Sequence, residues 1–156
     1  MHPVKRLAMP PVRVLALMMA SAALLNACGY GKAPKPPPAM EMTTALEGTR
    51  WRLVQVAGKP VAHVTGQREA YLQLDPSLKR VNASGGCNGF NGTYTLDGQQ
   101  LSFGAVAGTR MACPKVMEQE NAFSDALTRT TQWKVSNARL ELLDASGALL
   151  AQFVAQ

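Results

Sequence analysis

Histidine is almost missing from this chain: two occur in 156 residues, one of them at position 2. That shortage removes the commonest general base and a usual zinc ligand together, and disfavours most hydrolase and metalloenzyme readings. Charge is sparse as well, at 17% of residues, which is too little for a disordered polyelectrolyte. Lys and Arg never gather into an extended cluster. A nucleic-acid footprint needs a concentrated basic stripe, so nucleic acid is not expected as a partner. No apolar run is long enough to cross a bilayer comfortably; the best, Val14 to Leu25, holds about a dozen residues. The length leaves room for one domain, since two would each need a core of their own.

What is present begins with an export pattern. Lys5, Arg6 and Arg13 form a positive head before the apolar run, the plan of a secretory signal peptide over residues 1–27. Leu25-Asn26-Ala27-Cys28 then resembles the lipobox of bacterial lipoproteins. The resemblance implies cleavage before Cys28 and acylation of its sulfur and its new amine. More than one acyl chain is physically required, because a single chain gives only marginal membrane binding. Gly29 stands where an inner-membrane retention signal would place Asp, so the resemblance implies an outer-membrane destination, facing the periplasm. Loss of the leader also takes three positive charges from the formal net of +6.

Residues 28–45 read as the lipidated cysteine and a tether. Lys32-Ala33-Pro34-Lys35-Pro36-Pro37-Pro38 offers little to bury and favours extended polyproline II. From Leu46 the pattern changes to short alternating runs: Trp51 and Leu53, Leu72 and Leu74, Tyr94 and Leu96, Leu101 and Phe103, Trp133 and Val135, Leu140 and Leu142, Leu149 to Phe153. Asp97-Gly98, Asn137 and Ser146-Gly147 punctuate them as turns. The spacing predicts about seven or eight strands over residues 46–156, a mainly β, small antiparallel barrel or sandwich. One segment, 114–130, places Val116, Phe123 and Leu127 at near-helical spacing behind Pro114, and predicts a single α-helix.

Two local motifs stand out: Gly85-Gly86-Cys87-Asn88-Gly89-Phe90-Asn91-Gly92-Thr93-Tyr94, and Thr109-Arg110-Met111-Ala112-Cys113 followed by Glu120. With the opening Leu46-Glu47-Gly48-Thr49-Arg50-Trp51, they resemble the META domain of HslJ-like bacterial lipoproteins over nearly all of residues 46–156. The resemblance implies a lipocalin-like β fold with one helix, heat-shock and surface associations, and no catalytic residues or cofactor to carry over. The residues that carry it are Gly48, Trp51, Gly86, Asn88, Gly92, Tyr94, Thr109, Met111 and Glu120.

Each motif admits a bland and a sharp reading. The Gly-rich loop could cradle a phosphate, but no Gly-Lys-Ser/Thr follows and a strand comes next; Gly and Asn there suit a sharp turn or bulge. Cys87 and Cys113 remain after Cys28 is acylated, and export favours a structural disulfide between them. Free or metal-binding thiols are the rival, with only His63 left to assist a metal. Glu120 falls on the apolar side of the helix, where a carboxylate needs partners: loop amides or an arginine such as Arg110, against a general acid/base role. Asn82-Ala83-Ser84 and Asn91-Gly92-Thr93 match a glycosylation tripeptide by chance in a bacterial-type lipoprotein.

The expected function is a lipid-anchored, non-catalytic binding or envelope-maintenance module. Its partners would be the membrane, through the acyl groups, and an envelope protein or small ligand. An assembly helper (pilot) for an outer-membrane complex and an inhibitor of a secreted enzyme are the alternatives. No catalytic set, cofactor or metal site is expected, because no triad, carboxylate pair or ligand cluster can be assembled from the residues present.

Overall fold

The computed structural model describes residues 44–156; the leader, Cys28 and most of the Pro-rich tether lie outside the described residues. Nine strands and one helix follow in the order β1 (Arg50–Val56), β2 (Lys59–Pro60), β3 (Tyr71–Asp75), β4 (Arg80–Ser84), β5 (Gly89–Asp97), β6 (Gln100–Gly108), α1 (Met117–Arg129), β7 (Gln132–Ser136), β8 (Arg139–Leu143) and β9 (Leu149–Ala155). All pairings are antiparallel in a single sheet, ordered β2-β1-β3-β4-β5-β6-β7-β8-β9. A further β1–β9 pairing closes the sheet into a ring.

The alternation in the sequence explains which side of each strand faces inward. Trp51 and Leu53, Leu72 and Leu74, Val81 and Ala83, Leu140 and Leu142, and Ala151 and Phe153 are buried, while their strand neighbours, apart from Ser84 and Leu150, are half-buried or exposed. Fully burying one such Leu contributes about 1.5–3 kcal/mol, so the period of two also fixes the register. The Asp97-Gly98 turn falls where expected, joining β5 to β6 through Gly98 and Gln99, with Gly98 at φ +55°. Asn137 and Ala138 both take positive φ, at 49° and 57°, and link Ser136 to Arg139 in the two-residue loop that suits strand twist.

The helix begins three residues later than expected, at Met117 rather than Pro114. Cys113 to Val116 instead form a turn closed by the Val116 N–H donating to the Cys113 carbonyl at 3.0 Å. Pro114 suits such a turn as well as a helix start, and the chain direction there is tied to Cys113. One helical face carries the buried residues Glu120, Phe123, Ala126 and Leu127. It packs against β1, β6 and β9, with the Phe123 ring meeting Phe90 and Phe153 edge-on at 5.9 and 6.3 Å.

The ring is uneven. β5 and β6 pair from Asp97↔Gln100 to Phe90↔Gly108, whereas β6 meets β7 at a single register pair, Gln100↔Gln132. Among the described residues, the outer edge of β6 beyond that point has no strand against it.

Candidate functional site

The motif residues separate into two clusters. Trp51 is fully buried on β1 and its indole N–H donates to the Leu46 carbonyl at 2.9 Å, which turns the incoming chain over the ring. Gly48, at φ +80°, permits that turn, and its N–H reaches the Leu74 carbonyl at 2.8 Å. Beside it the Tyr94 hydroxyl donates to the Glu47 carboxylate, and Lys79 bonds the same carboxylate oxygen at 2.8 Å. Lys79, then Tyr94, hold the Glu47 carboxyl below its ordinary range. Burial, and then the Glu47 carboxylate, push the Tyr94 phenol well above its own. This cluster clasps the start of the domain to β3, to β5 and to the turn between β3 and β4. It offers no free reactive group.

The second cluster is built around Glu120, which is 3% exposed in the first turn of α1. Its carboxylate accepts the Cys87 N–H at 3.2 Å and the Asn88 N–H at 3.1 Å. Of the partners expected for it, the loop amides are the ones found; Arg110 makes no ion pair with it. Burial pushes the Glu120 carboxyl above the usual carboxylate range, against the two amides, which lower it.

Asn88 completes the lock. Its side-chain oxygen accepts the Thr109 hydroxyl and the Met111 N–H, both at 2.8 Å, and its amide nitrogen donates to the Met111 carbonyl at 3.3 Å. Cys87 and Cys113 stand at disulfide-bonding distance with Cα atoms 6.2 Å apart, so the same loop meets the turn before the helix a second time. Asn88, Arg110 and Glu120 line one groove.

The glycines serve two different needs. Gly86 takes φ +120°, the backbone freedom expected of this loop. Gly85 is needed for closeness: a Cβ there would lie 2.7 Å from Glu120 Oε2, so the loop could not approach the helix. Gly92 belongs to neither cluster. It sits at the β5–β6 bulge, where a Cβ would meet the Gly104 carbonyl oxygen at 2.9 Å.

Sequence reasoning missed Gln119. Its amide donates to the Gly85 carbonyl at 2.6 Å and its oxygen accepts the Ala62 N–H at 2.8 Å, joining the loop, the helix and the segment after β2. Nothing in the local sequence marks it, because its partners lie 34 and 57 residues away. Met117, Asn121 and Ser124 were also missed; with Asn88, Phe90 and Gly108–Ala112 they line an open groove of about 480 Å³ between the end of β6 and α1. Met111, 47% exposed, stands at its mouth. Among the described residues, no group of three His, Cys, Asp or Glu is placed to hold a metal ion.

The framework therefore spends its polar atoms internally. Both Glu120 oxygens and both ends of the Asn88 amide are engaged, and what faces the groove freely is thioether, aromatic edge, Arg110, Asn121 and Ser124.

Comparison with known proteins agrees with this architecture. The META domain family model matches residues 44–156. A protein from Burkholderia xenovorans solved by NMR is 28% identical, with a TM-score of 0.56 over 79% of this chain and 98% of that one. A second NMR structure is 26% identical, with a TM-score of 0.55 over 70% of this chain and 91% of that one. A crystal structure of a DUF4847 family protein from Bacteroides vulgatus shares the fold at 15% identity, with a TM-score of 0.50 over 70% and 93% of the two chains. No curated protein matches.

Proposed function

The chain belongs to the META domain family, and from that premise we propose that it is a non-catalytic binding module, held at the bacterial outer membrane by acyl groups on Cys28 and facing the periplasm. The acyl chains concentrate the domain at the surface, the Pro-rich tether lets it search, and the groove between β6 and α1 receives the partner. One observation carries the reading. The residues with chemical potential, Glu120 and Asn88, are consumed in holding the loop to the helix, and the surface they leave is adaptable and apolar with a single cation. Such a lining suits recognition, because methionine fits irregular partners and Arg110 sets orientation.

An inhibitor that pushes the Gly-rich loop into an enzyme cleft finds no support, since Ser84 to Asn88 are buried. The assembly-helper reading is favoured over it, because a groove rather than a protruding loop is on offer.

The test is site-specific photo-crosslinking in the native envelope. A probe at Met111 is expected to capture a partner, and a probe at the still more exposed Leu78, outside the groove, is not. Equal capture from both positions, or from neither, removes the groove as the binding face. Cys28→Ser is expected to abolish acylation, read by mass spectrometry of the mature terminus, and to weaken the Met111 adduct through lost surface concentration.

A further inference from the structure

The edge of β6 is unfinished in a particular way. The Leu101 N–H donates across to the Thr131 carbonyl at 3.0 Å, so this residue points its backbone away from β5, and by strand alternation Phe103 does the same. At the far end the Thr109 N–H donates inward to the Gly89 carbonyl at 3.1 Å, which turns Gly108, and with it Val106, outward. Three consecutive outward positions, Phe103, Val106 and Gly108, thus present N–H and C=O groups along an edge that β7 abandons after Gln100.

Natural edges of this kind are usually blunted by charge, proline or a covering element. This one carries neither charge nor proline, and α1 packs against part of the strand; its sequence from 102 to 108 is Ser-Phe-Gly-Ala-Val-Ala-Gly, and Gly104, Ala105, Ala107 and Gly108 are exposed. The bulge places Ala105 and Val106 of β6 opposite Gly92, with Ala105 at φ +44°, so the outward positions Phe103 and Val106 stand three residues apart rather than two. The groove of about 480 Å³ lies at the end of the same strand, with α1 as its far wall.

We propose that this edge and groove capture an extended peptide segment by strand addition, with an apolar side chain set against Met111 and Met117 and an acidic group facing Arg110. This deepens the binding-module reading and rests on it. An extended backbone is the occupant that satisfies a row of outward amides and carbonyls. Small side chains along 104–108 let that backbone approach closely. Charge selects the sequence: Arg110 makes no ion pair among the described residues, while the carboxylate of Glu120 is already tied to two amides. The groove therefore presents one free cation and no free anion, and favours a peptide with Asp, Glu or a terminal carboxylate.

The experiment pans a phage-displayed library of random linear peptides, each longer than a strand of about five to six residues, on the intact oxidised domain. Selected peptides are then synthesised and bound to isotope-labelled protein. Binders with alternating apolar residues and an acidic group are expected, protecting the Phe103, Val106 and Gly108 amides from exchange. Methylating the backbone nitrogen at every second peptide position should weaken binding by roughly tenfold per lost bond, and methylation at the intervening positions should not. Arg110→Glu should shift the selection to basic peptides, with circular dichroism confirming the fold. Peptides that bind the groove but tolerate methylation in both registers overturn strand addition and leave the binding module standing. No selected peptide, together with no adduct at Met111 in the envelope, overturns both.

Discussion

Two carboxylates, Glu47 and Glu120, hold two parts of this domain together by opposite means. Glu47 is half-buried with a lysine and a phenol as partners, and its acidity is strengthened. Glu120 lies inside, has only neutral amides for partners, and is made a weaker acid by burial. The first clasp is electrostatic and is screened by solvent; the second is an accounting of buried donors that would otherwise be orphaned. The difference teaches where the domain is brittle: the loop under α1 depends on one side chain, and the clasp at Glu47 has alternatives in water.

Removing Glu120 should have the largest effect. Glu120→Ala orphans the Cys87 and Asn88 N–H groups, and each buried unsatisfied donor costs about 1–3 kcal/mol, so urea unfolding should show a loss of roughly 3–5 kcal/mol. Glu120→Gln should lose less, because one oxygen remains as acceptor. An unchanged midpoint in the alanine variant would erase the contrast between the two carboxylates.

Next comes the disulfide pair. Its 26-residue separation implies about 3–4 kcal/mol in the chain-entropy model. Cys87→Ser and Cys113→Ser should cost similar amounts and the double variant little more, since all three remove one bond. Thiol titration of protein taken from the envelope should find no free thiol, with or without denaturant. Two titratable thiols would reopen the loop as a reactive site.

The pH dependence should separate the two carboxylate types. Glu120 has a raised pKa, so the proton-linked part of its contribution is full below the unfolded value of 4.5 and is lost as pH rises through the folded value, while the bonds it accepts from the two amides remain. Asp144 runs the other way: the Ser146 hydroxyl first, then the Ala148 and Ser146 amides and Arg129, lower it to about 2. Its contribution is full above 3.8 and disappears as pH falls toward about 2. Unfolding midpoints measured from pH 7 to 2 should show Glu120→Gln flattening the upper slope and Asp144→Asn the lower.

The smallest effects belong to the Glu47 clasp and the exposed ion pairs. Tyr94→Phe should cost about 0.5–1.5 kcal/mol for the bond to Glu47. Lys59→Ala, which removes an exposed pair with Glu118, should leave the unfolding midpoint unmoved at high salt. A larger loss from Lys59 than from Glu120 would invert the comparison.

Much of this was legible from residues alone. Alternation placed Leu72, Leu74, Leu140 and Leu142 inside, Asp97-Gly98 marked its hairpin, and the Phe123–Leu127 spacing marked the helix. The helix start was misplaced because Pro114 suits a turn and a first helical position equally, and only the Cys113 carbonyl decides between them. The site was half visible: Asn88 and Glu120 stood in motifs, but Gln119, Met117 and the open edge of β6 did not.

Local patterns determine strands, turns and an inward face because they depend on spacings of two to four residues, which the chain carries in itself. The bond between Glu120 and the Cys87 amide spans 33 residues, and the single β6–β7 register pair depends on how the ring closes around α1. Those were decided by tertiary packing. The fold brought the Cys87 and Asn88 amides to Glu120 as donors, and the single β6–β7 register pair left Phe103, Val106 and Gly108 without a neighbouring strand.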